Sequence, residues 1–215
     1  MRAARRAVLL APALPARAAT LDPRLAQLGW RLQPVAGRAV AEFRASAGGE
    51  ITVRAEGAVG FLVRALAAPA PRVAWRWRVD AAPPPTDVTR RGGDDRPLAL
   101  HLLFPDAAPG PMAALRRAMR GALMPEGFSG RALTYVWGGL APGGPWPNPY
   151  APRDGALIVL RGPAAPLGTW FEEAVDAVAD HARAFGEPGA PPSHVCVSAD
   201  TDDAGGLALG RVVPP

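Results

Sequence analysis

The sequence predicts a mainly β protein, a single jelly-roll-like β-sandwich carrying two short helices. Three observations predict it. Short apolar or alternating runs recur along the chain, 26 Pro and 24 Gly punctuate them, and a hydrophobic content of 49 % is too high for disorder. With 215 residues the chain is long enough for one well-packed domain and short for two, so 19–215 is read as a single unit.

In chain order, residues 1–18 read as a signal peptide. Arg2, Arg5 and Arg6 form a basic head, Ala7 to Ala16 is an apolar run too short to span a bilayer, and Ala16-Arg17-Ala18 supplies a small-x-small cleavage pattern. The expectation is cleavage near Ala18 and a periplasmic or secreted protein. A disordered Ala/Pro-rich start is the alternative. The Arg5-Arg6 pair leaves twin-arginine and general export both open. After the leader no apolar run reaches transmembrane length.

Charge excludes one class of partner. The chain has 24 Lys+Arg against 19 Asp+Glu, and without the leader's arginines it is close to neutral. Every basic residue is Arg, but no basic face is implied, so nucleic acid is not expected. The single cysteine, Cys196, lies in an apolar run and reads as a small buried hydrophobe.

The predicted strands are 38–44, 51–53, 59–66, 72–80, 98–104, 132–137, 156–161, 195–199 and 209–213, bounded by Gly, Pro and Asp clusters. Alternation places Val73, Trp75, Trp77 and Val79 on one face and Arg76, Arg78 and Asp80 on the other, so the two tryptophans are assigned to the core. An aromatic platform for sugar stacking is the other reading of that strand. Leu133, Tyr135 and Trp137 likewise share a face, and Trp137 at the strand end is a candidate ligand contact. Trp146 and Tyr150, in a Pro-rich loop, are candidates too, because rigid exposed aromatics lose little entropy on binding. Segments 112–123 and 174–185 carry 3-4 spaced apolar stripes and are predicted helices.

Chemistry is sought in the acidic motifs. Asp200, Asp202 and Asp203 crowd the turn that follows the apolar run His194 to Val197, and Asp94 and Asp95 precede another apolar run. Crowded carboxylates need a cation, arginines or backbone N–H groups as compensation. Asp200, Asp202 and Asp203 are therefore candidate calcium ligands, although Ala204 and Arg211 fall where an EF-hand requires oxygen donors. An Asx-type turn is the alternative. Glycoside hydrolysis by two carboxylates drawn from Asp94, Asp95, Glu172, Glu173, Asp200 and Asp202 needs about 5 to 10 Å between them across a cleft. The chain has neither a Gly-x-Ser-x-Gly elbow nor a His-Glu-x-x-His pair. His101 reads as a hydrogen-bonded sheet residue.

The order Trp75-Arg-Trp77, Gly93-Asp94-Asp95, Tyr135-Val-Trp137, Trp170 with Glu172 and Glu173, Asp180 with Phe185-Gly186, and Asp200-Thr-Asp202 resembles a bacterial family of exported proteins, domain of unknown function 3047. The resemblance spans roughly residues 40–213 and implies an extracytoplasmic β-rich domain, without an activity or catalytic residue. Where that family carries an Arg a few residues into the strand after its acidic pair, this chain has Leu98-Ala99-Leu100. At the C-terminal turn Asp202-Asp203-Ala204-Gly205 replaces Asp-Asn-Thr-Gly.

The expected function is a non-catalytic binding module of the bacterial envelope with a carbohydrate ligand. Asp94, Asp95, Trp137, Trp146, Tyr150 and Glu172 are its candidate ligand-binding residues. A carboxylate-based hydrolase of envelope glycans is the alternative, and a structural or protein-interaction domain the third class. Acidic motifs converging in a concave pocket would favour hydrolysis, and exposed Trp on a flat face would favour stacking.

Overall fold

The computed structural model describes residues 20–106 and 130–215. The predicted signal peptide and the predicted helix at 112–123 lie outside the described residues. Two sheets face each other. The larger has the order β1-β4-β11-β6-β7-β9-β8 and comprises β1 (Arg31–Gln33), β4 (Val59–Ala65), β6 (Arg96–Pro105), β7 (Gly130–Trp137), β8 (Gly143–Pro147), β9 (Gly155–Arg161) and β11 (His194–Asp200). The smaller, ordered β10-β5-β12-β3-β2, comprises β2 (Glu42–Ala45), β3 (Ile51–Glu56), β5 (Arg72–Ala81), β10 (Phe171–Asp176) and β12 (Leu207–Val213). Neighbouring strands run antiparallel except β7 and β9. The expected β-sandwich is therefore present, and of the two expected helices the second lies among the described residues.

The core between the sheets follows the alternation read from sequence. Val73, Trp75, Trp77 and Val79 of β5 are buried, as are Leu98, Leu100, Leu102 and Phe104 of β6 and Leu133, Tyr135 and Trp137 of β7. The Trp77 ring meets Trp75 and Trp137 at centroid separations of 5.6 and 5.7 Å, in the edge-to-face arrangements that aromatic quadrupoles favour.

Several elements differ from expectation: β1, β8 and β10 were not read as strands. The strand expected over 38–44 is Glu42–Ala45, preceded by a single parallel bridge from Val40 to Val59. The helix expected from Ala174 starts at Ala177 (α2, Ala177–Phe185), because 171–176 pair with β5 in the register Phe171↔Trp77 to Asp176↔Arg72. Asp176 then caps α2, accepting the Ala179 N–H at 2.9 Å, and Gly186 ends it at φ 78°. A short helix, α1 (Pro23–Gln27), was not expected. Its cap Asp22 also accepts the Ala45 N–H at 3.0 Å, tying α1 to the end of β2.

Both faces of the larger sheet are covered. Away from the smaller sheet, Phe61, Val63, Leu103, Ala132 and Cys196 form one apolar patch and Val88, Val136, Leu157 and Val159 another. A cleft of about 380 Å³ lies against this face and takes in residues of both patches.

Candidate functional site

The cleft floor owes its chemistry to a strand irregularity. On β11, alternation turns Cys196, Ser198 and Asp200 away from the core occupied by Val195, Val197 and Ala199. Opposite them β6 pairs Ala99 with Ser198 but Arg96 with Asp200, so β6 spends one extra residue there. A bulge of this kind re-aims a side chain. By parity with Leu98 and Leu100, Arg96 would point into the core; the bulge turns it into the cleft beside Asp200.

Arg96 is buried, its side chain 7 % exposed, and its contacts organise the floor. Nη1 donates to the Asp94 carbonyl at 2.6 Å, Nη2 donates to Ser198 Oγ at 3.4 Å, and Nε has no partner among the described residues. The Oδ2 atoms of Asp94 and Asp200 each lie 3.6 Å from Nη1. A polar line continues across the sheet. Ser198 Oγ is 2.8 Å from His101 Nε2, and His101 Nδ1 is 2.9 Å from Thr134 Oγ1. Burial and then the Arg96 charge push the His101 pKa down to about 3, so its ring is neutral. Burial likewise pushes the Cys196 thiol up, leaving it an inert wall residue.

The two acidic motifs meet at one end of this line. Asp95 accepts the N–H groups of Asp203 at 3.3 Å and Ala204 at 2.8 Å, which ties the C-terminal turn to the start of β6. Gly205 (φ 73°) and Gly206 (φ 97°) let the chain turn back into β12. A Cβ on Gly206 would also press on Pro84 at 3.2 Å. Carboxylate oxygens of Asp95, Asp200 and Asp202 lie within 4.8 Å of one another. Each has compensation inside the protein: backbone amides for Asp95, Arg96 for Asp200, and Arg38 for Asp202 at 3.1 Å. Asp203 also pairs with Arg38, at 3.4 Å. The remaining crowding favours the protonated form of Asp200. Burial raises its pKa to about 8, Arg96 opposes, and Asp202 and Asp94 add to the rise.

Tyr150 closes one rim. Its hydroxyl donates to Asp94 Oδ1 at 2.9 Å and accepts the Gly92 N–H at 2.9 Å, while Arg91 Nε donates to the Pro149 carbonyl at 3.0 Å. The 148–151 loop is thereby strapped to the segment before β6.

Of the residues singled out from sequence, Asp94, Asp95, Tyr150, Asp200, Asp202 and Asp203 come together. Asp95 acts there as a brace and does not line the cleft. Trp137 does not join them: it is 1 % exposed, packed between Trp77 and Phe171 in the core, because the face it shares with Leu133 and Tyr135 is the buried one. Trp146 is half-buried and folds over Gly143 and Gly144 beside the Leu157 patch. Glu172 pairs in register with Arg76 at the edge of the smaller sheet, exposed and away from the cleft. Its neighbour Glu173 is spent on Arg161 and Trp77. Arg38, Arg96, Thr134 and Ser198 were not singled out. Arg96, directly after the acidic pair, makes the Asp–Arg contact that Leu98-Ala99-Leu100 had put in question. His101 is a hydrogen-bonded sheet residue, as read, but one that faces the cleft.

The chain belongs to the family described as "Protein of unknown function (DUF3047)", which it matches over residues 29–212. None of the curated proteins matches it. Among solved structures it is similar to the family 11 xylanase from Neocallimastix patriciarum, with 9 % identity, 85 % of this chain and 86 % of that chain covered and a TM-score of 0.38. It is also similar to a loop-swap mutant of Xyn11A from the same organism, with 10 % identity, coverage of 79 % and 81 % and a TM-score of 0.34.

Proposed function

We propose that this family member binds a carbohydrate, a glycan of the bacterial envelope, in the cleft of the larger sheet. One observation carries the reading: Asp94 with Arg96, and Asp200 with Asp202, about a hundred residues apart in sequence, converge on a single concave floor flanked by two apolar patches. A sugar ring offers C–H faces and hydroxyl edges, and this floor offers the complement. The Phe61–Leu103 and Val136–Leu157 patches suit the faces; Asp94, Asp202, Arg96 and the Tyr150 hydroxyl suit the edges. The volume, about 380 Å³, lies in the range of small-molecule sites. Convergent polar groups held by a sheet are pre-organised, which lowers the entropic cost of binding. The basic, apolar, small-residue order of 1–18 is consistent with delivery of the protein to the envelope.

The test is calorimetry of the purified chain with soluble, uncrosslinked peptidoglycan strands and an array of envelope oligosaccharides. The expected result is saturable binding that Asp94→Ala and Tyr150→Ala each weaken at least tenfold. A folded protein that binds none of these glycans overturns the proposal. N-terminal sequencing of the protein from a periplasmic fraction checks the export expectation, and an intact Met1 would count against it.

A further inference from the structure

We infer that the cleft takes an amphiphilic glycan, a sugar that carries a hydrocarbon chain, with the chain along the aliphatic floor between Val63 and Leu157; this rests on the glycan-binding reading and names the rest of the ligand. Strand register lays out the floor. Val63 pairs with Cys196, Cys196 with His101, His101 with Thr134 and Thr134 with Leu157, so one row of side chains crosses five strands on the cleft side of the larger sheet. Leu103 and Ala132 pair in the next row on that side.

The polar end lies elsewhere on the same strands. Asp200, paired with Arg96, is four residues along β11 from Cys196, a distance of about 13 Å at the rise of an antiparallel strand. Arg38, Asp94, Asp202 and the Tyr150 rim gather at that end, where the sugar sits. Phe61, paired with Ser198 between the two ends, suits the C–H face of that ring.

Beyond Phe61 the floor gives a second sugar ring little to hold. Its polar side chains, His101 and Thr134, are bonded to each other at 2.9 Å, and the other His101 nitrogen is engaged by Ser198 at 2.8 Å. Burial holds the His101 ring neutral, so this row carries no charge. At the margins, Asn148 Oδ1 already accepts the Tyr150 N–H, and Gln33 belongs to the edge strand β1. No tryptophan among the described residues lines the cleft for a sugar to stack on. Sugar hydroxyls laid here would lose water without gaining partners, whereas a hydrocarbon chain gains by burying its own surface against Val63, Leu103 and Leu157. The occupant is a small molecule because the floor is walled. Val35, Val88 and Ala151, from three connecting segments, line the same cleft of about 380 Å³.

The experiment titrates the purified chain by calorimetry with methyl, butyl, hexyl and octyl glucosides, each below its micelle concentration, and with octanol. Expected is an affinity that rises roughly three- to fourfold per added CH₂ from butyl to octyl, with octanol weaker than octyl glucoside. Asp94→Ala should weaken the glucosides and keep the rise. Ala132→Phe, which fills the floor beside Leu103, should flatten it. Thermal unfolding checks this variant; should it not fold, Val63→Thr, which puts a hydroxyl under the chain without changing its size, takes its place and should lower the rise. No rise from methyl to octyl, with envelope glycans still bound, overturns the inference and leaves the glycan reading standing. A rise that both floor variants retain shows adsorption elsewhere and overturns it too. Octanol bound as tightly as octyl glucoside, with no envelope glycan bound, removes the sugar and overturns both readings.

Discussion

Asp95 Oδ2 accepts the backbone N–H of Ala204 at 2.8 Å, and Oδ1 of the same carboxylate accepts that of Asp203 at 3.3 Å. One buried side chain therefore fixes the C-terminal turn against the start of β6 across more than a hundred residues of sequence. Both oxygens are used as acceptors. Asp95→Asn replaces one of them by an NH₂ that faces a backbone donor, so the substitution is expected to destabilise the fold by about 1 to 3 kcal/mol. Urea unfolding measures it; a variant as stable as the wild type would show that the turn is held by other contacts.

The same substitution at Asp200 is expected to have the opposite sign. Asp200 has a folded pKa near 8, against an ordinary value of 3.8, through burial and the facing Asp202 and Asp94, with Asp95 close by and Arg96 opposing. Between those values the unfolded chain releases a proton that the folded chain keeps, so the Asp200 contribution to stability falls as pH rises from about 4 to 8 and levels off above. Asn resembles the protonated acid. Asp200→Asn should match the wild type near pH 4 and exceed it increasingly toward pH 8, as read from denaturant midpoints across that range. A constant difference over the whole range would contradict the proton assignment.

Most of the fold was legible in the sequence because its signals are local. Alternation at Val73 to Val79 marked the core face of β5, and Gly, Pro and Asp clusters marked the strand ends. What failed was non-local. Phe171 to Asp176 carries strand pairing that only the presence of β5 reveals, and its apolar spacing runs straight into the α2 stripe. Trp137 sits at a strand end, where an aromatic often meets ligand, but the second sheet arrives on its side. At the site, the acidic motifs were visible as uncompensated charge. Arg96 was not, because parity with Leu98 and Leu100 assigned it to the core and only the bulge against Ser198 and Asp200 turns it around. Arg38 compensates Asp202 and Asp203 from far away in sequence, which no spacing rule anticipates.

Calcium is expected to leave thermal unfolding unchanged. The clustered oxygens of Asp95, Asp200 and Asp202 are already engaged by backbone amides, by Arg96 with a proton, and by Arg38. An ion would have to displace these partners. A bound ion at a hundredfold excess over its dissociation constant would add about 2.7 kcal/mol. Unfolding in calcium and in chelator distinguishes the cases, and a calcium-dependent rise in Tm that Asp202→Asn abolishes would place a cation at the turn.

His101 is expected to remain neutral to about pH 4, with the proton on Nδ1. Arg96 Nη2 already donates to Ser198 Oγ, so the Ser198 hydrogen is directed at His101 Nε2, leaving Nδ1–H to donate to Thr134 Oγ1. Because the folded pKa is lowered to about 3, the stabilisation from a neutral ring is present above pH 6.5 and is lost as pH falls toward 3. Nitrogen chemical shifts of the imidazole report both tautomer and charge. An Nε2-protonated ring, or titration near pH 6.5, would overturn the polarity of this line.

Trp77 is expected to be the costliest single truncation in the core, and a graded pair of variants separates its packing from its hydrogen bond. The ring is 0 % exposed, edge-on to Trp75 and Trp137, and its Nε1 donates to Glu173 Oε1 at 2.8 Å. Trp77→Ala removes the ring and leaves a cavity between the sheets, costing about 3 to 5 kcal/mol. Trp77→Phe keeps most of the packing and loses the donor. Glu173 still has Arg161 Nε at 2.7 Å and Nη2 at 3.1 Å, so the carboxylate is not stranded and the cost of Phe should fall well below that of Ala. Equal losses for the two variants would mean that the hydrogen bond, and not the interlocked aromatic layer, holds β10 against β5 at this point. A Trp77→Ala protein as stable as the wild type would contradict the core assignment itself.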